Sequence, residues 1–140
     1  MFDFEKLDVY QVVKEQNNKV LEFLKKNQQI DPLLKEHWKT ASLKSVLNLA
    51  EGTGRKNTNE KKEFLTAARG NVFESTTILQ IVKDLGGIDE TTYQEYYDGY
   101  EKASKMLLGM FRSYNKREHE RDYSNEHIQD ENHYPTQEDI

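Results

Sequence analysis

The chain has 140 residues, of which 35% are hydrophobic and 32% are charged, so it has material for one small domain. It contains no cysteine, which excludes disulfide frameworks, cysteine-ligated metal sites and thiolate nucleophiles and is typical of a reducing compartment. The apolar runs are too short to span a membrane, and the acidic residues that follow Met1 are unlike a signal peptide. We therefore expect a cytoplasmic protein with no membrane contact.

The net charge of −5 is unevenly distributed along the chain. Residues 1–117 carry 19 basic and 17 acidic side chains, whereas residues 118–140 carry one arginine and eight acids. Residues 14–62 carry eleven basic and six acidic side chains, which predicts either a basic face or an ordinary solvated helix surface. The segment 118–140 has few large apolar residues, without helical spacing, so we expect a disordered acidic tail.

The pattern of residues 1–117 predicts helices throughout. The sequence has no proline between Pro32 and Pro135, and apolar residues recur there every three or four positions. We expect the first helix to begin with Asp3 as its N-cap and Phe2 packed on Leu7. Its inner stripe is predicted to consist of Leu7, Tyr10, Val13, Val20, Leu21 and Leu24.

The second helix is predicted to run from Asp31-Pro32 to Gly52. An aspartate N-cap followed by proline suits a helix start, and glycine tolerates the left-handed conformation that often ends a helix. The predicted inner face consists of Leu34, Trp38, Ala41, Ser42, Ser45, Leu49 and Ala50.

The third helix is predicted to begin after Asn57, in a sequence of capping-box form, and to stop at Gly86-Gly87. Its seam would be formed by Phe64, Ala68, Asn71, Ser75, Ile78, Val82 and Leu85. The fourth helix should begin after Asp89 and fray near Lys116-Arg117. Its inner side would carry Tyr93, Tyr96, Tyr97, Tyr100, Ala103, Leu107, Phe111 and Tyr114.

Short connections make neighbouring helices antiparallel, so we predict an all-α, up-down-up-down four-helix bundle over residues 1–117, followed by the tail 118–140. Small residues should let helices two and three approach closely, at Ala41, Ser42, Ser45, Ala67, Ala68, Gly70 and Asn71. Six apolar residues off the inner stripes predict either self-association or a wide buried stripe within one subunit: Val9, Phe23, Leu43, Leu47, Phe73 and Ile81.

The sequence lacks the common patterns of catalytic and metal sites. It has no phosphate-binding loop, no GxSxG, no HExxH and no Glu-x-x-His pair in the predicted helices. The histidines have no helical ligand spacing and stand at His37, His119, His127 and His133. We therefore expect no catalytic residues, no metal and no cofactor.

A polar set surrounds the predicted turn between helices two and three, at Asn48, Glu51, Gly52, Gly54, Arg55 and Glu74. In a structural interpretation, which we favour, Arg55 binds Glu51 or Glu74 and pins the two helices together. In a functional interpretation, Arg55 and Lys56 are presented to phosphate.

This turn carries a family resemblance. The stretch Ser45–Arg55, followed by Glu63–Leu65 and Ala67–Glu74, forms a fairly specific motif, and the opening Phe4–Gln11 matches the same family's start. Over about residues 4–111 the chain resembles a bacterial four-helix bundle family. That family includes the protein encoded in intervening sequences of 23S ribosomal RNA genes and the accessory variability determinant of diversity-generating retroelements.

The resemblance implies an up-down bundle that assembles as a ring-like homopentamer without known catalytic activity. In the retroelement branch the ring is basic, partners a reverse transcriptase and binds nucleic acid. For this chain that implies RNA or DNA contacts at Arg55, Lys56, Lys61 and Lys62.

This chain departs from the family pattern in its acidic net charge and in Asn71, where serine is usual. Two functions follow: a noncatalytic nucleic-acid-binding accessory factor, or a protein interaction scaffold without nucleic acid. In the first, we expect the acidic tail to screen the basic surface.

Overall fold

The computed structural model describes residues 1–126, with side chains up to residue 120; the rest of the predicted tail, 127–140, lies outside the described residues. A short 3₁₀ helix precedes four α-helices, which we number α1 Asp8–Lys26, α2 Pro32–Thr53, α3 Thr58–Asp84 and α4 Glu90–Glu126. Each helix packs on two others: α1 and α3 both contact α2 and α4. This arrangement confirms the predicted up-down-up-down bundle, and residues 1–126 contain no strand.

The starts of three helices follow the predicted caps. Asp31 accepts a hydrogen bond from the Leu33 amide at 2.8 Å, and Pro32 occupies the first turn of α2. Asn57 and Asp89 each accept from the amide three residues further on, at 3.1 and 2.7 Å. Because these bonds satisfy amides that have no partner inside the helix, residue type alone was enough to locate the starts.

The start of α1 differs from the prediction. Asp3–Lys6 forms the short 3₁₀ helix, and α1 itself begins at Asp8. The ring of Phe2 stacks on Phe4 with centroids 5.5 Å apart, and the Phe2 amide donates to the carboxylate of Glu5 at 2.8 Å. These local contacts hold the first residues in a separate turn, so Asp3 does not cap α1.

Two glycines explain how α2 and α3 end and pack. The prediction that Gly52 ends α2 in a left-handed conformation is wrong. Gly52 is buried within the helix, where an added Cβ would lie 2.6 Å from Cβ of Phe64. It is therefore a close-approach position between α2 and α3. The left-handed residue is Gly86, with φ of 78°, and the next amide, of Gly87, donates to the Val82 carbonyl at 2.8 Å in a Schellman-type end of α3.

The core is centred on Trp38, which is fully buried. Its indole Nε1 donates to the hydroxyl of Tyr100 at 2.8 Å, which joins α2 to α4. The Phe23 ring of α1 lies 6.0 Å from the Trp38 ring and 5.6 Å from that of Tyr96. The predicted inner stripes are buried or half-buried, except that Leu85 is exposed at the end of α3.

A polar layer crosses the core beside these aromatic rings. Ser42 donates to Oδ1 of Asn17 at 2.8 Å, and Gln16 donates to the Tyr96 carbonyl at 2.8 Å. The Gln16 side chain packs over Gly99, where an added Cβ would lie 2.1 Å from it. These bonds satisfy buried polar groups and align α1 with α2 and α4.

The helix α4 continues past the predicted fraying point at Lys116-Arg117 as far as Glu126, the last residue that the structure describes. The ammonium group of Lys62 on α3 donates to Oδ1 of Asn115 at 2.8 Å and pairs with the carboxylate of Glu118. The first residues of the acidic segment are therefore bonded to the bundle, which explains why the helix extends beyond the point where its apolar stripe stops.

Candidate functional site

The turn between α2 and α3 is held by Arg55. Its guanidinium pairs with the carboxylate of Glu51, lies 3.9 Å from that of Glu60 and stacks over the ring of Phe64 with a centroid distance of 4.7 Å. The charge-assisted hydrogen bond to Glu51 and the ring stacking both fix the guanidinium in the hairpin. This geometry supports the structural interpretation of Arg55.

Glu74 does not belong to this cluster. Asn48 donates to Oδ1 of Asn71 at 2.8 Å, which sets α2 and α3 level with each other at these two residues. Glu74 is exposed and lies 14 residues from Glu60, which amounts to about 21 Å along a helix. Arg55 binds at the start of α3, and so it reaches Glu51 and not Glu74. Gly54 contributes only its amide, which donates to the Glu51 carbonyl at 3.1 Å.

The predicted nucleic-acid contacts are mostly engaged within the chain. Lys61 donates to the Thr53 carbonyl at 2.9 Å, and Lys62 is held by α4 as described above. Arg55 is bound in the hairpin, whereas Lys56 is exposed. A phosphate at this turn would have to compete with existing acceptors at three of the four positions.

Histidines and carboxylates do not form a further site in the part of the chain that the structure describes. Among those residues, no group of three or more carboxylate or imidazole side chains could hold a metal ion. His37 and His119 are exposed, and His127 and His133 lie outside the described residues. None of the helices within residues 1–126 is long and apolar enough to cross a bilayer.

An open groove lies between α3 and α4, and the sequence did not reveal it. It consists of two adjoining cavities of about 410 and 200 Å³, both lined by Arg69 and Phe73. The larger is bounded by residues that include Tyr97, Tyr100 and Lys105, and the smaller by residues that include Leu65, Gly70 and Phe111. We call this feature the α3–α4 groove.

The α3–α4 groove is lined by three charged side chains, those of Glu101, Lys105 and Arg69. The one that bonds across it is Arg69. Its Nε donates to the carbonyl and hydroxyl oxygens of Ser104, both at 3.2 Å, and its guanidinium stacks over Phe73 at 4.7 Å from the ring centroid. Burial lowers the pKa of Arg69, and the positive charge of Arg112 lowers it further. The positive charges of Arg69 and Lys105 therefore lie at this groove together with the carboxylate of Glu101.

Four of the six apolar residues off the inner stripes are exposed, with 45% of Leu43, 54% of Leu47, 50% of Phe73 and 39% of Ile81 accessible. Val9 and Phe23 match the second predicted alternative, because they lie in or against the core as part of a wide buried stripe on α1. Phe73 projects into the α3–α4 groove, and Leu43 and Leu47 form a separate apolar line on the outer side of α2.

That line on α2 includes an acid. Glu36, Leu43 and Leu47 are all exposed and follow one another at steps of seven and four residues, which places them on one side of the helix. We call these three residues the α2 ridge. The small residues expected on the inner face of α3 include two that are exposed instead, Ala67 and Gly70.

The comparison with protein families identifies the group to which this bundle belongs. The sequence profile of the family described as 23S rRNA-intervening sequence protein matches residues 5–109. The chain belongs to this family. The matched region covers the turn at Arg55 and both walls of the α3–α4 groove up to residue 109, and it ends before Asn115 and Glu118, which bind Lys62. A search of curated proteins found no match.

Proposed function

We propose that this family member is a noncatalytic bundle protein that functions as a homo-oligomer, with the pentameric ring implied by the family resemblance as its expected form. The observation that supports this is the exposed apolar surface at the α3–α4 groove and the α2 ridge. Apolar surface of this kind on a monomer usually marks an interface, because removing it from water is favourable by about 25 cal/mol per Å².

The size of the proposed interface follows from general values. Fully burying a leucine or phenylalanine contributes about 1.5–3 kcal/mol, so residues that are already half-buried contribute less, at about 1 kcal/mol each. A stable interface covers roughly 800 Å² on each partner. The contact must therefore extend over much of a helix face around Leu43, Leu47 and Phe73.

The test is the mass of the purified chain in solution, measured by light scattering coupled to gel filtration at tens of micromolar. We expect a single species whose mass is a multiple of 16.5 kDa, and five times that value for the ring. A species of 16.5 kDa that persists at these concentrations would overturn the proposal.

A second candidate function is nucleic-acid binding as an accessory factor, with a reverse transcriptase as partner in the retroelement branch. The observation that favours it is the exposed Lys56 at the α2–α3 turn, together with the excess of basic residues over positions 14–62. A homo-oligomer would repeat this weak patch, and repeated phosphate contacts strengthen binding.

This candidate is tested with structured RNA and with duplex DNA in gel shifts at low and moderate salt. Binding through phosphates must weaken steeply as salt rises, because counterions are released. The variant Lys56→Ala should weaken binding, whereas Lys102→Ala on α4 serves as a matched exposed control. Absence of binding at low salt would favour an interaction scaffold that does not contact nucleic acid.

A further inference from the structure

We propose that the α2 ridge of one copy inserts into the α3–α4 groove of the next copy. This inference rests on the proposed homo-oligomer and names the two surfaces that form its contact. It commits to a second copy of the chain as the occupant of the groove, on grounds of shape, length and charge.

The shapes of the two surfaces are complementary. Leu43 and Leu47 lie one helical turn apart, with Cβ atoms about 6 Å from each other, and project from the outer side of α2. The groove offers two adjoining cavities, of about 410 and 200 Å³, on either side of the shared residues Arg69 and Phe73. A groove packed on a second groove would leave both cavities unfilled, which forfeits dispersion contacts.

The lengths also agree. The ridge covers 12 residues, Glu36 to Leu47, and the 11 steps between them amount to about 16 Å along α2. On α4 the groove is bounded by residues from Tyr97 to Phe111, which is about 21 Å of helix. One ridge therefore fits within one groove.

The charges favour the same pairing. Arg69 uses Nε on Ser104, and a guanidinium has four further N–H donors that can bind a carboxylate. Glu36 lies on the ridge line and is paired in its own chain only as an exposed i,i+3 contact to Lys39 at 3.5 Å, which is worth little. The neighbour's half-buried Arg69 offers this carboxylate a positive charge in a less hydrated place, and Lys105 lies at the edge of the same groove.

The pairing limits the form of the assembly. The ridge lies on α2 and the groove lies between α3 and α4, so every copy carries both surfaces. When a copy uses them on two different neighbours, the head-to-tail contact closes into a ring of three or more copies or continues as a filament; when two copies exchange both surfaces, it gives a twofold dimer.

The experiment uses one variant of each surface in the full chain. Leu43→Asp with Leu47→Asp disables the ridge. Gly70→Arg disables the groove, and it should fold, because an added Cβ at Gly70 meets nothing within 4 Å and arginine favours helix over glycine. Asn18→Arg, at an exposed position of α1, is the matched control. Circular dichroism checks that all four proteins are helical.

We expect each surface variant alone to have the mass of one chain, and the control to keep the wild-type mass. An equimolar mixture of the two surface variants should form a species of two chains, because each still has the surface that the other lacks. If the wild type is monomeric, the proposed homo-oligomer itself fails. If the wild type assembles but the surface variants keep its mass, or their mixture does not associate, the pairing of ridge with groove is wrong.

Discussion

The seam between α2 and α3 is closed, whereas the seam between α3 and α4 holds two cavities, and residue size accounts for the difference. At the closed seam, Phe64 lies so close to Gly52 that a side chain on Gly52 would collide with it. Asn48 bonds directly to Asn71 across the same seam. At the open seam, Arg69 and Phe73 stand between the helices and keep parts of them apart.

The two seams therefore differ in the role that we assign to them, one in the stability of the bundle and the other in contacts with a partner. The closed seam leaves no room for a partner and holds the family motif, whose charged residues bind one another within the hairpin. The open seam exposes apolar surface that a single copy cannot cover. The side of α3 that faces α2 therefore holds the hairpin together, and we propose that the exposed part of the side that faces α4 takes part in association. The following predictions test this division.

The largest effect is expected at Tyr100, beneath the open seam. Burial raises the pKa of Tyr100 to about 12, against an ordinary value of 10.0. Because the folded-state pKa is the higher one, this hydroxyl contributes stability in full below pH 10, and that contribution is lost as the pH rises towards 12. The loss should amount to about 2–3 kcal/mol.

The measurement is urea unfolding of the wild type and of Tyr100→Phe between pH 8 and pH 11. At pH 8 the variant should be less stable by about 1–3 kcal/mol, because the Trp38 Nε1 loses its acceptor. The difference in the free energy of unfolding between the two proteins should become smaller as the pH rises. A difference that stays constant would show that the pKa of Tyr100 is not raised by folding.

At the closed seam, Gly52→Ala should lower the free energy of unfolding by about 1–3 kcal/mol, because the new Cβ forces α2 away from Phe64. The same change at Gly70, where there is open space, should raise it by about 0.5–1 kcal/mol through helix propensity. If the seams differ as described, chemical denaturation should show changes in the free energy of unfolding that have opposite signs in the two variants. Changes of the same sign would contradict the comparison of the two seams.

A smaller effect is expected for the polar bond that crosses the closed seam. Asn48→Ala removes a hydrogen bond and leaves Oδ1 of half-buried Asn71 without its donor, at a cost of about 1 kcal/mol. Asn59→Ala, at an exposed position of α3, should change stability much less. A double-mutant cycle with Asn71→Ala measures the coupling directly, and a coupling near zero would exclude a structural role for the pair.

The smallest effect concerns the end of α4, where Glu118 neutralises Lys62. Deletion of residues 118–140 removes eight acids and one arginine and leaves the Lys62 ammonium group bonded to Asn115 but without its carboxylate. If the turn binds nucleic acid, the deletion should raise affinity and steepen its salt dependence, while the helical signal falls only by the contribution of residues 118–126 and the number of chains in the oligomer stays unchanged. Unchanged affinity at low salt would mean that the tail does not screen the basic surface.

Local features of this fold were predictable from the sequence. The caps at Asp31, Asn57 and Asp89 involve only the next three residues, and the pairing of Arg55 with Glu51 spans one helical turn. Such contacts depend on residue type and spacing alone. The spacing of the apolar residues was sufficient to predict four helices, and the short connections between them were sufficient to predict their antiparallel order.

Features that depend on the distance between helices were not predictable. Gly52 matches a helix end in sequence, and only the position of Phe64 on α3 reveals it as a close-approach site. Val9 lies off the expected stripe of α1 but is buried in the core of the bundle. The partners of Lys62 are more than 50 residues away, on α4. The α3–α4 groove arises from the spacing of two helices, which no periodicity encodes.

Trp38 is the only tryptophan in the chain, and it is fully buried where α1, α2 and α4 meet. Its fluorescence is therefore an intrinsic reporter of three packed helices at once. The emission should shift to longer wavelength only when water enters the core. Trp38 itself lines neither cavity of the α3–α4 groove, so binding there does not bring water to the indole. The emission wavelength therefore follows unfolding while scattering follows assembly, and the two equilibria can be measured separately in one sample.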